Sequence, residues 1–162
     1  FERIVMRVIL LQVGKTVDKY AVQAIEDYAA RLKHYVDFRM ETIPDLKSTK
    51  SLSEAQIKAK EAEQILAWNK PENLLVLLDE RGLEQTSMQF SKWMQKKMNA
   101  GLRQLVFVIG GPYGFDQSVY DAVRERISLS KMTFSHQMVR VFFVEQMYRA
   151  MTILNGEPYH HE

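Results

Sequence analysis

Residues 105–114 read LVFVIGGPYG, an unbroken apolar run that ends in a glycine-rich turn. Continuous rather than alternating hydrophobicity predicts a strand buried on both faces, as in a parallel sheet covered by helices. The same pattern occurs at residues 8–13 and 74–78, and turn residues follow each run. These three segments predict the central strands of an α/β sheet. Shorter runs predict two further strands at residues 38–43 and 127–130.

Helical periodicity fills the intervals between the strands. Apolar residues from Tyr20 to Leu32 recur at helical spacing behind Asp18, which is placed to cap a helix. Ser53 with Gln56 forms a capping box that predicts a helix to about residue 68. Further helices are predicted over residues 87–99, 117–125 and 136–154. Alternating strands and helices predict a single-domain, mostly parallel α/β sheet flanked by helices.

Length, composition and charge limit the classes of protein to which the chain can belong. With 162 residues the chain predicts one domain, over residues 6–162, and residues 1–5 are interpreted as an N-terminal extension. The sequence contains no cysteine, which excludes a disulfide framework and a cysteine nucleophile and favours a reducing, cytoplasmic setting. No apolar run approaches the roughly 20 residues that span a bilayer, so no membrane association is expected. A net charge of +2 leaves the partner open.

The last predicted helix, residues 136–154, is apolar around most of its circumference. A helix with this pattern must be buried on nearly all sides. The sheet can cover one side only, so a second copy of the chain is expected to cover the other. The pattern therefore predicts a homodimer.

The spacing of the glycine, histidine and serine residues does not match several common binding and catalytic sites. The GGPYG turn at residues 110–114 is neither a phosphate-binding loop nor a Rossmann fingerprint, although its glycines allow a ligand to approach the backbone closely. His34, His160 and His161 lack the spacing of a metal site, so no metal is expected. Ser135 beside His136 does not make a hydrolase, because no nucleophile elbow is present.

Five short stretches resemble one known family. They are residues 13–15 (VGK), 107–111 (FVIGG), 129–134 (LSKMTF), 136–140 (HQMVR) and 158–160 (PYH). Together they resemble the ribosomal RNA large subunit methyltransferase H family of the SPOUT class, from residue 6 to the C-terminus. The resemblance implies a C-terminal trefoil knot, a homodimer, and methylation at N3 of a pseudouridine in large-subunit (23S) ribosomal RNA on assembled ribosomes. Ser135 stands where the family usually has proline, and serine is a good helix N-cap.

The resemblance also implies a binding site for S-adenosyl-L-methionine, formed largely by backbone groups. The matching positions are Leu78, Gly110, Leu129, Ser130, Lys131, Met132, Thr133 and Phe134. Because the sulfonium is already an activated methyl donor, the protein needs to align the reactants and favour loss of the imino proton. We hypothesise that Arg140 stabilises the developing anion, while Tyr159 and His160 of the partner subunit position the base. His136 is interpreted as a structural residue.

Two alternatives follow from the same sequence. A transfer-RNA methyltransferase of the SPOUT class would share the cofactor site but often carries an added RNA-binding domain. A noncatalytic RNA-binding module would need no S-adenosylmethionine. Binding of the cofactor and identification of the methylated nucleoside separate the three functions.

Overall fold

The computed structural model describes residues 6–47 and 49–161, and this part contains five strands. Neighbouring strands are parallel throughout, in the spatial order second, first, fourth, third, fifth. The mostly parallel sheet expected from the continuous apolar runs is thereby confirmed. The strands are β1 (Arg7–Val13), β2 (Asp37–Ile43), β3 (Asn73–Glu84), β4 (Gln104–Ile109) and β5 (Glu125–Ser128).

Helices cover both faces of the sheet. One face packs against the first, third and fifth helices through a core that includes Ile25, Met94 and Phe143. The other face packs against the second and fourth helices through residues such as Ile65 and Val119. The helices are α1 (Lys19–Leu32), α2 (Glu54–Leu66), α3 (Ser87–Asn99), α4 (Gln117–Ala122) and α5 (His136–Leu154), and a short 3-10 turn spans Thr49–Ser51.

The N-caps of α2 and α1 lie at the positions that the sequence predicts. The Ser53 hydroxyl accepts a hydrogen bond from the backbone N–H of Gln56, and the Gln56 side chain accepts one from Ser53 N–H, so the predicted capping box is confirmed. Asp18 occupies the N-cap position of α1, but its side chain makes no capping hydrogen bond and accepts one from the hydroxyl of Tyr20 instead. The position was predicted correctly and the contact was not.

The boundary between α4 and β5 differs from the sequence prediction. The helix predicted over residues 117–125 ends at Ala122, because Val123 is extended (φ −114°, ψ 112°). The last strand begins at Glu125 rather than residue 127, and residues 129 and 130 lie in the loop that follows it. An ion pair of 2.5 Å between Lys97 and Glu125 holds the strand start against α3. Apolar periodicity gave no signal for this polar strand.

β3 is longer than the apolar run at residues 74–78. After an irregularity beyond Leu78 the strand resumes pairing with β5, where Leu83 lies opposite Ile127. A Cβ atom at Gly82 would stand 2.7 Å from the backbone of Arg126 and Ile127, so only glycine fits this approach. Because most side chains of this extension are polar, the hydrophobicity pattern did not predict it.

α5 is buried on one side and open on the other. Phe143, Val144 and Met147 are at most 1% exposed, whereas Phe142 is 40% exposed. The homodimer and the trefoil knot stay predictions. The interpretation of residues 1–5 as an extension concerns residues outside the described part.

Candidate functional site

A cavity of about 610 Å³ lies at the carboxyl ends of β3, β4 and β5. Ligands of open α/β sheets bind at this edge, and small-molecule pockets have volumes of roughly 300–1,000 Å³. The walls are formed by three loops or irregular segments, namely residues 78–81 at the irregularity within β3, the loop after β4 and the loop between β5 and α5, and the first turn of α5 closes one side. The cavity is therefore the candidate ligand site.

The predicted cofactor-binding residues meet in this cavity. All of them line it except Lys131, whose side chain is 81% exposed and lies 3.6 Å from Glu84. Leu78 comes from the end of the apolar part of β3 and Gly110 from the turn after β4, so chain segments far apart in sequence converge. The lining members are Leu78, Gly110, Leu129, Ser130, Met132, Thr133 and Phe134.

The glycines after β4 are required by the protein's own packing. A Cβ atom at Gly110 would lie 3.2 Å from the ring of Phe115, and one at Gly111 would lie 2.5 Å from the carboxylate of Glu61. Gly114 has a φ of +81°, a conformation that L side chains rarely adopt. The N–H of Gly114 donates to the carbonyl of Gly111 at 3.0 Å and closes the turn.

One wall of the cavity carries an ordered carboxylate. Asp79 accepts a hydrogen bond from the backbone N–H of Arg81 at 2.9 Å and a second from the hydroxyl of Tyr120. The guanidinium of Arg126 lies 4.5 Å from the centre of the Tyr120 ring. Burial and the hydrogen bond to Asp79 raise the pKa of Tyr120 to about 12, so its hydroxyl remains a donor at neutral pH.

The start of α5 forms part of the cavity wall. Ser135 is the N-cap, and its hydroxyl accepts a hydrogen bond from the N–H of Met138 at 3.2 Å. The expectation that serine preserves the helix start is confirmed. His136 lines the cavity, and burial together with the nearby charge of Arg140 lowers its pKa. A lowered pKa keeps the imidazole neutral near pH 7.

Arg140, one turn after His136 on α5, does not line the cavity and is only 2% exposed. Its Nη1 donates to the carbonyl of Gly14 and the hydroxyl of Thr16, each at 3.0 Å, and its Nη2 donates to the carbonyl of Val13 at 2.9 Å. One turn earlier, the Gln137 side chain accepts a hydrogen bond from the N–H of Val17 at 2.7 Å. These two side chains fasten the loop after β1 to α5.

Tyr159 and His160 gather around the other end of α5. The Nη1 of Arg149 lies 3.1 Å from Nδ1 of His160, and its guanidinium carbon lies 4.8 Å from the centre of the Tyr159 ring. Glu145 accepts hydrogen bonds from Arg149 at 2.6 Å and from the Tyr159 hydroxyl at 3.1 Å. We call Glu145, Arg149, Tyr159 and His160 the tail cluster.

The protonation of the tail cluster follows from its contacts. A guanidinium has no acceptor, so Nδ1 of His160 accepts from Arg149 and the proton of the neutral ring sits on Nε2. Burial, the hydrogen bond with Tyr28 and the charge of Glu145 raise the pKa of Tyr159. The cluster thus presents N–H and O–H donors.

The tail cluster and the cavity are far apart within one chain. On α5, Val139 lines the cavity and Arg149, ten residues later, contacts His160. At about 1.5 Å per residue, these two positions are separated by roughly 15 Å along the helix axis. The structure therefore brings the predicted cofactor residues together, and separately brings Tyr159 and His160 together, but it does not unite the two sets in one subunit.

Sequence reasoning assigned no role to four polar residues of these two regions, although it places Asp79 at the edge where ligands bind. Asp79 and Tyr120 form the polar cavity wall, and Glu145 and Arg149 complete the tail cluster. Glu145 and Arg149 are four residues apart on a predicted helix, a spacing that could have indicated an ion pair. Asp79 directly follows the apolar run at residues 74–78, at the edge where ligands bind, and that position was the available signal.

Among residues 6–47 and 49–161, no helix is long and apolar enough to cross a membrane. In the same ranges, no group of three or more His, Cys, Asp or Glu side chains is arranged to hold a metal ion.

Comparison with known proteins places this architecture in a family. Residues 6–160 match the family model described as predicted SPOUT methyltransferase. The chain is 60% identical over 157 residues to ribosomal RNA large subunit methyltransferase H of Parabacteroides distasonis, with 97% of this chain and 100% of that protein covered. It is also 60% identical, with the same coverage, to the protein of that name from Porphyromonas gingivalis strain W83.

A solved structure supports the fold. The tRNA (m1G37) methyltransferase of Aquifex aeolicus superposes with a TM-score of 0.54 at 14% identity, covering 97% of this chain and 75% of that one. At this identity the likeness concerns the fold alone. The family-model match and the high identity over almost the whole length carry the assignment: the chain belongs to the ribosomal RNA large subunit methyltransferase H family of SPOUT methyltransferases.

Proposed function

We propose that this protein uses S-adenosylmethionine to methylate N3 of a pseudouridine in large-subunit (23S) ribosomal RNA, on assembled ribosomes. The observation that carries the proposal is the cavity at the sheet edge, where residues expected to bind the cofactor converge from three loops or irregular segments. Membership in a family whose curated members are named for ribosomal RNA methylation supports the substrate class.

The cavity fits S-adenosylmethionine in chemistry as well as in size. Leu129, Met132 and Phe134 offer apolar surface for an adenine ring, and the Gly110–Gly111 turn brings the backbone to the cavity. Asp79 offers acceptors at the polar wall, where the ribose hydroxyls could donate. When bound, the cofactor supplies a methyl group already activated by its sulfonium.

We propose that the complete site is built by two subunits. Tyr159 and His160 do not line the cavity of their own chain, and roughly 15 Å along α5 separates Val139, which lines it, from Arg149, which contacts His160. The exposed Phe142 on the outer face of α5 is consistent with an interface between copies. A two-fold arrangement of the α5 helices brings the tail cluster of one subunit to the cavity of the other.

The tail cluster is suited to stabilise an anionic base. Loss of the N3 proton to solvent leaves negative charge on the uracil ring and its oxygens, and donors held in place favour that state. The Nε2–H of His160 is such a donor and Arg149 adds positive charge, whereas the Tyr159 hydroxyl, which donates to Glu145, would first have to turn toward the base. No residue of the cluster has to act as a general base.

The role predicted for Arg140 as the anion stabiliser stays a prediction. In that role an anionic base would have to compete with the carbonyls of Gly14 and Val13 and the hydroxyl of Thr16, which already accept hydrogen bonds from its terminal nitrogens. We propose that Arg140 mainly positions the loop after β1, and that Arg149 is the cation nearest the reacting base.

A subunit-mixing experiment tests the composite site. Gly110→Val is expected to abolish cofactor binding, and a chain cut after Glu157 lacks the tail. Each variant alone should be inactive in single-turnover methylation of ribosomes. Random mixing gives half heterodimers with one intact site each, so about a quarter of wild-type activity should return. No recovery after confirmed subunit exchange would contradict the composite site.

A separate experiment tests the proposed substrate. Methyl transfer from labelled S-adenosylmethionine to assembled ribosomes should greatly exceed transfer to the isolated RNA loop, and mass spectrometry should identify 3-methylpseudouridine. Product found instead in transfer RNA would favour the related transfer-RNA activity. Absence of cofactor binding by calorimetry would favour a noncatalytic RNA-binding module.

A further inference from the structure

Tyr35 contacts the segment that leads from α5 to the tail cluster. It lies in the turn between α1 and β2, and its hydroxyl oxygen is 2.8 Å from one carboxylate oxygen of Glu157 and 2.7 Å from the other. The two residues are 122 positions apart in sequence, so the contact joins the end of α1 to the chain that leaves α5. A phenol has one proton, which this hydroxyl shares between the two acceptors.

The backbone fixes the course of the chain only as far as Glu157. Gly156 has a φ of +69°, and its N–H donates to the carbonyl of Ile153 at 3.1 Å. The N–H of Glu157 donates to the carbonyl of Thr152 at 2.9 Å. These two bonds form a Schellman motif, which ends α5 and turns the chain back. Within the part of the chain that the structure describes, no backbone hydrogen bond follows Glu157, so side chains must set the direction of residues 158–161.

Four tyrosine rings lie between α1, α5 and the tail. The ring of Tyr148 on α5 is 6.0 Å from the ring of Tyr35 and 4.8 Å from that of Tyr159, measured between ring centres. Tyr28 on α1 lies 5.9 Å from Tyr148, and its hydroxyl oxygen is 3.3 Å from that of Tyr159. Aromatic pairs at these separations attract each other. The rings therefore hold the Tyr159 side chain, and the Tyr35 hydroxyl holds the chain two residues before it.

We propose that Tyr35 is a positioning residue for methyl transfer and acts through Glu157. By binding Glu157, it keeps the tail folded back along α5, so that Tyr159 and His160 are already placed when the RNA base arrives. A tail that is ordered in advance avoids the entropic cost of ordering it during the reaction. This inference rests on the proposed function, because it assumes that the tail cluster acts on the base.

The Tyr35 hydroxyl remains a donor at neutral pH. Its hydrogen bond to Glu157, together with burial and the charge of that carboxylate, raises the pKa of Tyr35 to about 12. Phenylalanine at this position would keep the ring beside Tyr148 and lose only the hydroxyl. Tyr35→Phe therefore separates the hydrogen bond from the aromatic packing.

Nuclear magnetic resonance and single-turnover methylation together test the proposal. In Tyr35→Phe, the backbone order parameters of Tyr159 and His160 should fall to about 0.6 or below, the range of flexible segments. The single-turnover rate on ribosomes should fall by about three- to tenfold, the effect of one hydrogen bond, while the affinity for S-adenosylmethionine changes by less than about twofold. Glu157→Ala should reproduce these changes. The double variant should be no slower than either single variant, because both residues act through one contact.

Tyr20→Phe is the matched control. The hydroxyl of Tyr20 also donates to a carboxylate, that of Asp18 at 2.8 Å, but at the opposite end of α1. Loss of this hydroxyl should leave the order parameters of the tail and the methylation rate unchanged.

Three outcomes would overturn the proposal. Unchanged order parameters in Tyr35→Phe would show that Tyr35 does not hold the tail, and a flexible tail with a wild-type rate would show that its position does not affect the reaction. Multiplied losses in the double variant would show that Tyr35 and Glu157 act separately. If Tyr35→Phe does not fold, Glu157→Ala, at an exposed residue, serves for the same two measurements.

Failure of the proposed function would look different. A wild-type protein that transfers no methyl group to ribosomes would defeat the proposed function and, with it, the role of Tyr35 in the reaction. The order parameters would still show whether Tyr35 holds the tail.

Discussion

The polar side chains at the two ends of α5 find their hydrogen-bond partners in different parts of the structure. At the first turns, Gln137 accepts from the N–H of Val17 and the terminal nitrogens of Arg140 donate to the carbonyls of Val13 and Gly14, while the buried Nε of Arg140 has no hydrogen-bond partner among the described residues. At the last turns, Arg149 and Glu145 bond to each other and to the tail, and remain partly exposed. The first end is fixed, and the second can exchange its contacts.

This contrast indicates how binding and reaction are divided. A cofactor pocket benefits from a fixed wall, because an ordered backbone needs no reorganisation when the ligand binds. A cluster of side-chain donors can turn toward a base that arrives with the RNA. The contrast predicts that substitutions at the two ends of α5 will affect different measurements.

The largest expected effect is on methyl transfer at the tail end. His160→Ala should lower the single-turnover rate on ribosomes by about 100-fold or more, because an oriented donor to the anionic base is lost. The affinity for S-adenosylmethionine, measured by calorimetry, should stay within about twofold of wild type.

His161→Ala provides the matched control, because His161 is the adjacent histidine and is exposed. Its methylation rate should equal that of the wild type. Similar losses in both variants would mean that the tail acts through its bulk or charge rather than through the contact between His160 and Arg149.

The next largest expected effect is on stability, and it differs between Arg140 and Arg149. Arg140→Ala removes donors from two buried carbonyls and a hydroxyl, so the free energy of unfolding should fall by about 2–4 kcal/mol. Arg149→Ala removes partly exposed contacts and should cost less than about 1 kcal/mol. Urea unfolding at pH 7 measures both, and equal losses would break the contrast between the ends of α5.

A smaller effect concerns the outer face of α5. Phe142→Ser removes an apolar side chain that is 40% exposed and should weaken self-association without unfolding the chain. Sedimentation at micromolar concentration should show a shift from dimer toward monomer, together with loss of methylation. A wild-type protein that is monomeric at this concentration would contradict the two-subunit site.

The sequence predicts this molecule best where periodicity and caps agree. The limits of α3 and α5 are found correctly because apolar spacing, N-caps and glycine signals coincide there. β5 is displaced by two residues because its first residues are polar and held by a tertiary ion pair. A knot leaves no periodic signal, so only the resemblance implies it.

The candidate site, like the fold, could be predicted only in part. The candidate cofactor residues were predicted from the resemblance, in short motifs, whereas the tail cluster depends on a chain reversal after α5 that brings His160 back to Arg149. Arg140 shows what a motif alone leaves out. A basic residue in a characteristic motif suggests catalysis, but its hydrogen bonds to Val13 and Gly14 become visible only in three dimensions.

The smallest expected effect concerns Glu61 of α2, a residue that is only 6% exposed. Burial raises the pKa of Glu61 in the folded state, so its contribution to stability is present below the unfolded pKa and is lost as pH rises through the folded pKa. Glu61→Gln should therefore raise the melting temperature at pH 7, by roughly the 2–4 °C that 1 kcal/mol produces in a chain of this size. The difference should shrink as pH falls toward 4, where the wild-type carboxyl is protonated. Thermal unfolding at several pH values measures this, and a melting temperature lowered at pH 7 would show that the charged carboxylate already has a stabilising partner in the free protein.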